Sequence, residues 1–103
     1  MDVSEIIKEL NNLISEKYKD FKGSYLYGSR TREDFQKNSD LDIVALFDEI
    51  NNDKDFELSG IICDLMYKHG VFIDLQTYTP EKLERNPIYY NEVVCKGVFY
   101  APG

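Results

Sequence analysis

Strands alternating with helices along 103 residues predict an α/β (α+β) fold, a small mixed sheet of three or four strands with helices packed against it. Three observations carry this expectation. Apolar residues recur at helical spacing in two long segments. Two short segments, LDIVALF and VFIDLQTY, are β-rich and nearly continuous in apolarity. Gly, Thr-Pro and Asn-Pro punctuate the chain between them.

The elements follow in order. Asp2 or Ser4 can cap a first helix whose apolar stripe is Val3, Ile6, Ile7, Leu10, Leu13, Ile14 and Tyr18. Gly23 is expected to stop it, residues 24–27 to form a short strand, and Gly28-Ser29 to open a turn. Residues 30–39 are polar and mix a helical turn with loop. Residues 41–47 read as a central strand, followed by a polar loop, DEINNDKD. From Phe56 to His69 the helical period returns, with Gly70 placed to close the helix. Residues 71–78 form the next strand. Thr79-Pro80-Glu81 and Asn86-Pro87 each start a short helix, the second ending at Gly97, and residues 98–100 suit a last edge strand.

Composition narrows the function classes. The length predicts one domain, residues 1–103, able to bury a core without staples. A net charge of −7 argues against binding a long nucleic acid, although a metal ion can bridge acidic protein to a nucleotide. A basic protein partner also suits that charge. No apolar run approaches about 20 residues, so no membrane span is expected, and the acidic N-terminus is unlike a secretory signal. Two cysteines, Cys63 and Cys95, lack a disulfide or metal pattern; they are expected to be buried thiols in a reducing cytoplasm.

The chemistry concentrates in YGSRTREDFQKNSDLDI, residues 27–43. Asp40 and Asp42, two apart where a strand begins, point to one face, roughly 6.6 Å apart along the strand. Asp74 is an acid inside the apolar run VFIDLQTY, and a buried carboxylate requires pairing, hydrogen bonds or metal. If the two strands are neighbours, three carboxylates converge, a hard oxygen donor set suited to Mg²⁺ or Mn²⁺. Gly28 permits close backbone approach, and a following helical turn would present N–H groups to phosphate. Arg30 and Arg32 add guanidinium donors for phosphate oxygens, with a solvated loop as the alternative for each. His69, on the apolar face of a helix end, suits packing or C-terminal capping better than catalysis. Tyr89 and Tyr90, with Tyr100 nearby, are core material or part of a partner surface.

Gly28-Ser29, ten residues, then Asp40-Leu41-Asp42 resembles the GS-x(10)-D-x-D signature of the nucleotidyltransferase superfamily that includes DNA polymerase beta. Ser39 before the first Asp, the apolar residues after the second, and Asp74 in a later strand also match. The length and the ending, NP followed by a helix and GVFY, resemble the minimal nucleotidyltransferases, many of them antitoxins of HEPN–MNT pairs. The loop departs from the GSxARG form of that group: Thr31 stands for a small apolar residue and Glu33 for a glycine.

The resemblance implies two-metal nucleotidyl transfer from ATP, with catalytic and metal-binding roles for Asp40, Asp42 and Asp74. Asp40 and Asp42 would hold both ions and the triphosphate, and Asp74 the ion that activates the attacking hydroxyl. Gly28, Ser29, Arg30, Arg32 and Ser39 would contact the nucleotide. The acceptor it implies is a tyrosine of a HEPN ribonuclease toxin, silenced by AMP. Two other readings stand beside it: a binding module that blocks its partner without turnover, and the nucleotidyl subunit of a split small-molecule transferase. A homo-oligomer is compatible with all three.

Overall fold

A computed structural model describes residues 3–28 and 40–102. Its elements run α1 (Val3–Lys17), β1 (Phe21–Tyr27), β2 (Leu41–Phe47), α2 (Asn52–His69), β3 (Ile73–Tyr78), α3 (Pro80–Glu84), α4 (Pro87–Tyr90), a π-helical turn (Asn91–Cys95) and β4 (Val98–Tyr100). The strands form one mixed sheet in the order β3-β2-β1-β4. β1 pairs antiparallel with β2 and β4, whereas β2 and β3 are parallel. The parallel pair needs a crossover, and α2 supplies it.

Strand alternation sorts the sheet into two unlike faces. Leu41, Ile43, Ala45 and Phe47 of β2 point toward α1 and α2 and join Ile6, Ile7, Leu10, Ile14, Leu58 and Leu65 in the main core. Val44 and Leu46 point the other way, against Leu83 of α3 and Val93 of the π-helical turn. Those short elements cover only part of the second face. The end of it that holds the first residues of β2 and β3 carries carboxylates instead.

α1 keeps one polar residue in its buried stripe. Asn11 is 1% exposed and fully used: its amide donates to Tyr100 C=O at 3.1 Å and Ala101 C=O at 2.9 Å, and its oxygen accepts from Ser24 Oγ at 2.7 Å. The side chain thereby ties α1, β1 and the last strand together. Asn11→Ala leaves these partners buried and unsatisfied, an expected loss of about 2–3 kcal/mol in denaturant unfolding. A loss below about 0.5 kcal/mol would show that water replaces the amide.

Several local expectations need correction. Gly23 does not stop α1, which ends at Lys17; it lies inside β1 at a register shift, with φ +116°. A Cβ there would stand 2.7 Å from the Phe99 ring and 2.8 Å from Tyr100 C=O, so the glycine serves the close approach of β4. α2 begins before Phe56, because Asn51 caps it by accepting from Lys54 N–H at 2.8 Å, and it ends where Gly70 turns left-handed at φ 65°. The helix after Pro87 passes into a π-helical turn before Gly97. Cys63 and Cys95 are exposed, not buried. Asp2, placed as a cap, lies outside the described residues.

α2 is anchored at its start by a nearly buried cation. Lys54 Nζ reaches Asp20 at 2.9 Å and Glu49 C=O at 2.6 Å, and it sits 4.5 Å from the centroid of the Phe47 ring. At its far end, His69 Nε2 lies 3.1 Å from Glu9 of α1, the packed role expected for it. Held at both ends, α2 lies alongside β3.

Candidate active site

The pairing registers place Tyr27 opposite Asp42, and Asp42 beside Asp74. Tyr27, Asp42 and Asp74 therefore form one row across β1, β2 and β3, on the face of the sheet away from α1 and α2. Adjacent strands lie about 4.8 Å apart, so the two carboxylates are neighbours. Asp40 stands just ahead of β2 and is exposed.

Electrostatics set this end of the sheet apart. The Asp42 carboxyl is pushed above the usual carboxylate range, first by burial and then by the charges of Asp74 and Asp40. No Lys, Arg or His among the described residues forms an ion pair with any of the three. Asp74 accepts a hydrogen bond from Gln76 Nε2 at 3.0 Å. Strand alternation could have found that contact, because residues two apart share a face.

Gly28 closes the site from β1. Its φ is +84°, a left-handed value that favours glycine, and an added Cβ would stand 2.8 Å from Asp42 Oδ2. Backbone and carboxylate thus meet where the sequence places a glycine between strand and turn. Ser29, Arg30, Arg32 and Ser39, with Thr31 and Glu33, lie outside the described residues.

Beside the carboxylates stands an aromatic wall that sequence reasoning missed. Tyr27 Oη and Tyr89 Oη are hydrogen-bonded at 2.7 Å, and the Tyr89 ring also packs on Tyr78, with centroids 5.5 Å apart. Burial pushes both hydroxyls up. For Tyr27 the charges of Asp42 and Asp74 add to that rise; for Tyr89 the Tyr27 bond does. Both hydroxyls therefore stay neutral at physiological pH and can donate and accept. Tyr89 and Tyr90 are half-buried against the second core cluster, the core role expected of them. No single signal in the sequence could have joined Tyr27 to Tyr89, 62 residues away.

Among the described residues, no three carboxylate, imidazole or thiol groups close on a single metal position. The Asp42–Asp74 pair nevertheless has the chemistry of a hard-cation site: neighbouring oxygen donors, one half-buried, with no Lys, Arg or His among the described residues ion-paired to them. Mg²⁺ and Mn²⁺ bind through one or two carboxylates and take their other ligands from water and substrate phosphates. The residues fit such an ion.

Residues 8–97 match the family model described as polymerase beta, nucleotidyltransferase. Two proteins of Methanocaldococcus jannaschii whose names describe them as protein adenylyltransferases are each 30% identical to the chain, over 96 and 95 residues. Both alignments cover 85% of this chain and 94% of the relative. Crystal structures of two mutants of the toxin–antitoxin pair MntA–HpeT superpose with TM-scores of 0.66 and 0.62. They cover 96% and 100% of this chain and 72% and 74% of theirs, and at 21% identity the likeness is one of fold. The acidic row on a mixed sheet, the glycine packed against it, and a family match spanning most of the sequence agree: this chain belongs to the polymerase beta family of nucleotidyltransferases.

Proposed function

We propose that the protein is an antitoxin that transfers AMP from ATP to a tyrosine hydroxyl of a HEPN ribonuclease toxin, with Mg²⁺ or Mn²⁺ at its carboxylates. The observation that carries this reading is the Asp42–Asp74 pair, whose negative charge no side chain among the described residues neutralises. The names of the two archaeal relatives support adenylyl transfer to a protein, and the toxin–antitoxin structures of like fold support the antitoxin role.

Each residue then has a task. Asp40 and Asp42 would hold the divalent ions, and Gly28 would let the backbone come close to the triphosphate. Ser29, Arg30, Arg32 and Ser39 contact the phosphates. Asp74 orients the acceptor: the tyrosine oxygen bonds to the α-phosphorus, the bond from that phosphorus to the bridging oxygen breaks, and pyrophosphate leaves with the electron pair. The hydroxyl proton passes to the Asp74 carboxylate and on to water. Divalent ions held there would supply Lewis-acid stabilisation of the charge that develops on the phosphate oxygens. The Tyr27–Tyr89 pair, neutral and fixed, walls the site from the side.

Calorimetry with ATP tests the assignment. Heat of binding is expected with Mg²⁺ and is expected to vanish when EDTA replaces it. Binding of equal strength in both conditions would place the nucleotide away from Asp40 and Asp42.

A further inference from the structure

A groove of about 520 Å³ runs between α2 and β3. Leu58, Ile62, Cys63 and Met66 line its helix side, and the strand side runs from Ile73 to Thr77, taking in Asp74. Asp74, at the sheet edge, thus belongs both to the groove lining and to the carboxylate row on the other face. At the end away from Asp74, Thr77 Oγ1 donates to Asp55 at 2.7 Å and ties strand to helix.

β3 is an edge strand among the described residues. Leu41 N–H donates to Phe72 C=O at 2.8 Å, and this sets the phase of the parallel ladder. Even-numbered residues of β3 direct their backbone groups to β2, while Ile73, Leu75 and Thr77 direct theirs outward. Such an edge is a template for one more strand.

Phe56, Tyr67 and Phe72 are 82%, 94% and 66% exposed, and each adjoins a groove-lining residue in the chain. Aromatic side chains are enriched at protein contacts. Among the described residues, the charged side chains lining the groove are Asp55 and Asp74, in a chain of net charge −7. A second copy of this chain would bring like charges together, whereas a basic segment would be drawn in.

We infer that this groove is where the acceptor protein docks: an extended, positively charged segment of it adds to the edge of β3 and so delivers its hydroxyl to Asp74. The inference rests on the transferase reading above and names the surface that reading requires. Salt should weaken the docking, because rim charges attract through solvent.

The test uses Cys63→Arg, which puts bulk and like charge into the path of a basic segment. Ile88→Arg is the control, at an exposed apolar residue outside the groove. The probe is the purified protein encoded by the adjacent reading frame, titrated without ATP. Cys63→Arg should weaken its binding roughly tenfold or more, equivalent to about 1.4 kcal/mol. Melting temperature and ATP–Mg²⁺ affinity should stay unchanged, and Ile88→Arg should bind like the natural chain. Equal binding by both variants, no binding by the natural chain, or a self-dimer that Cys63→Arg breaks would each overturn the inference. If the natural chain binds the probe, Cys63→Arg does not, and no AMP is transferred, the transferase reading fails while the docking groove stands.

Discussion

Asp42→Asn is expected to abolish transfer, by about a thousandfold or more, while leaving the metal-free protein as stable as the natural one or more stable. Asp42 is the central member of the row, flanked by Asp74 on the neighbouring strand and by Asp40 before β2. Two like charges about 5 Å apart near a protein surface repel by roughly 3 kcal/mol at an effective dielectric constant of 20. Asparagine has the same shape and removes that repulsion, but it provides one neutral oxygen where the ions need a carboxylate. The raised carboxyl of Asp42 has the matching sign. A group whose folded-state value lies above its unfolded value costs stability once pH passes its titration range, and the substitution lifts that cost. Thermal unfolding in EDTA measures it, beside a transfer assay in Mg²⁺. A clear fall in melting temperature for the variant would show that Asp42 is a structural residue.

Asp74→Asn should separate catalysis from binding. A protein that only covers its partner needs the fold and the docking surface, whereas a transferase needs the carboxylate that orients the acceptor. The change is nearly isosteric, and the Gln76 amide, now 3.0 Å from Asp74 Oδ1, would still meet an oxygen. Complex formation with the neighbouring gene's product should therefore survive. Mass spectrometry of that product after incubation with ATP–Mg²⁺ gives the answer. The natural protein should add mass in steps of one AMP, and Asp74→Asn should add none, a loss of about a hundredfold or more. If neither protein adds mass and both silence the partner equally, the binding-module reading replaces the enzyme.

The two carboxylate predictions rest on residues that could be named before any coordinates. Gly28, Asp40, Asp42 and Asp74 stand out because an acid beside an acid, or inside an apolar strand, costs free energy that only a ligand or partner offsets. The helical stripes, the Gly70 stop and the Thr79-Pro80 and Asn86-Pro87 starts were equally visible, since each is a rule about residues within a few positions of one another. Where local rules competed, sequence reasoning failed. Gly23 looked like a helix stop, yet its role is set by β4, more than 70 residues later, whose Phe99 ring occupies the space a Cβ would need. Cys63 sat in an apolar pattern, yet it is exposed, because helical period alone does not say how wide the covered stripe is.

What the sequence by itself determined is therefore most of the elements, the family resemblance and the candidate acids. Tertiary structure alone decided that Asp42 and Asp74 are direct neighbours, that Tyr27 completes their row, and that Tyr89 hydrogen-bonds to it from a distant helix. It also decided that the edge of β3 opens onto a groove beside α2. The physical reason is the same in each case. Strand order and register are chosen by burial summed over the whole sheet: sliding β3 by one residue would expose Ile73 and Leu75 and turn Asp74 toward the core. No window of neighbouring residues contains that sum, so the row of Tyr27, Asp42 and Asp74 appears only when the sheet closes.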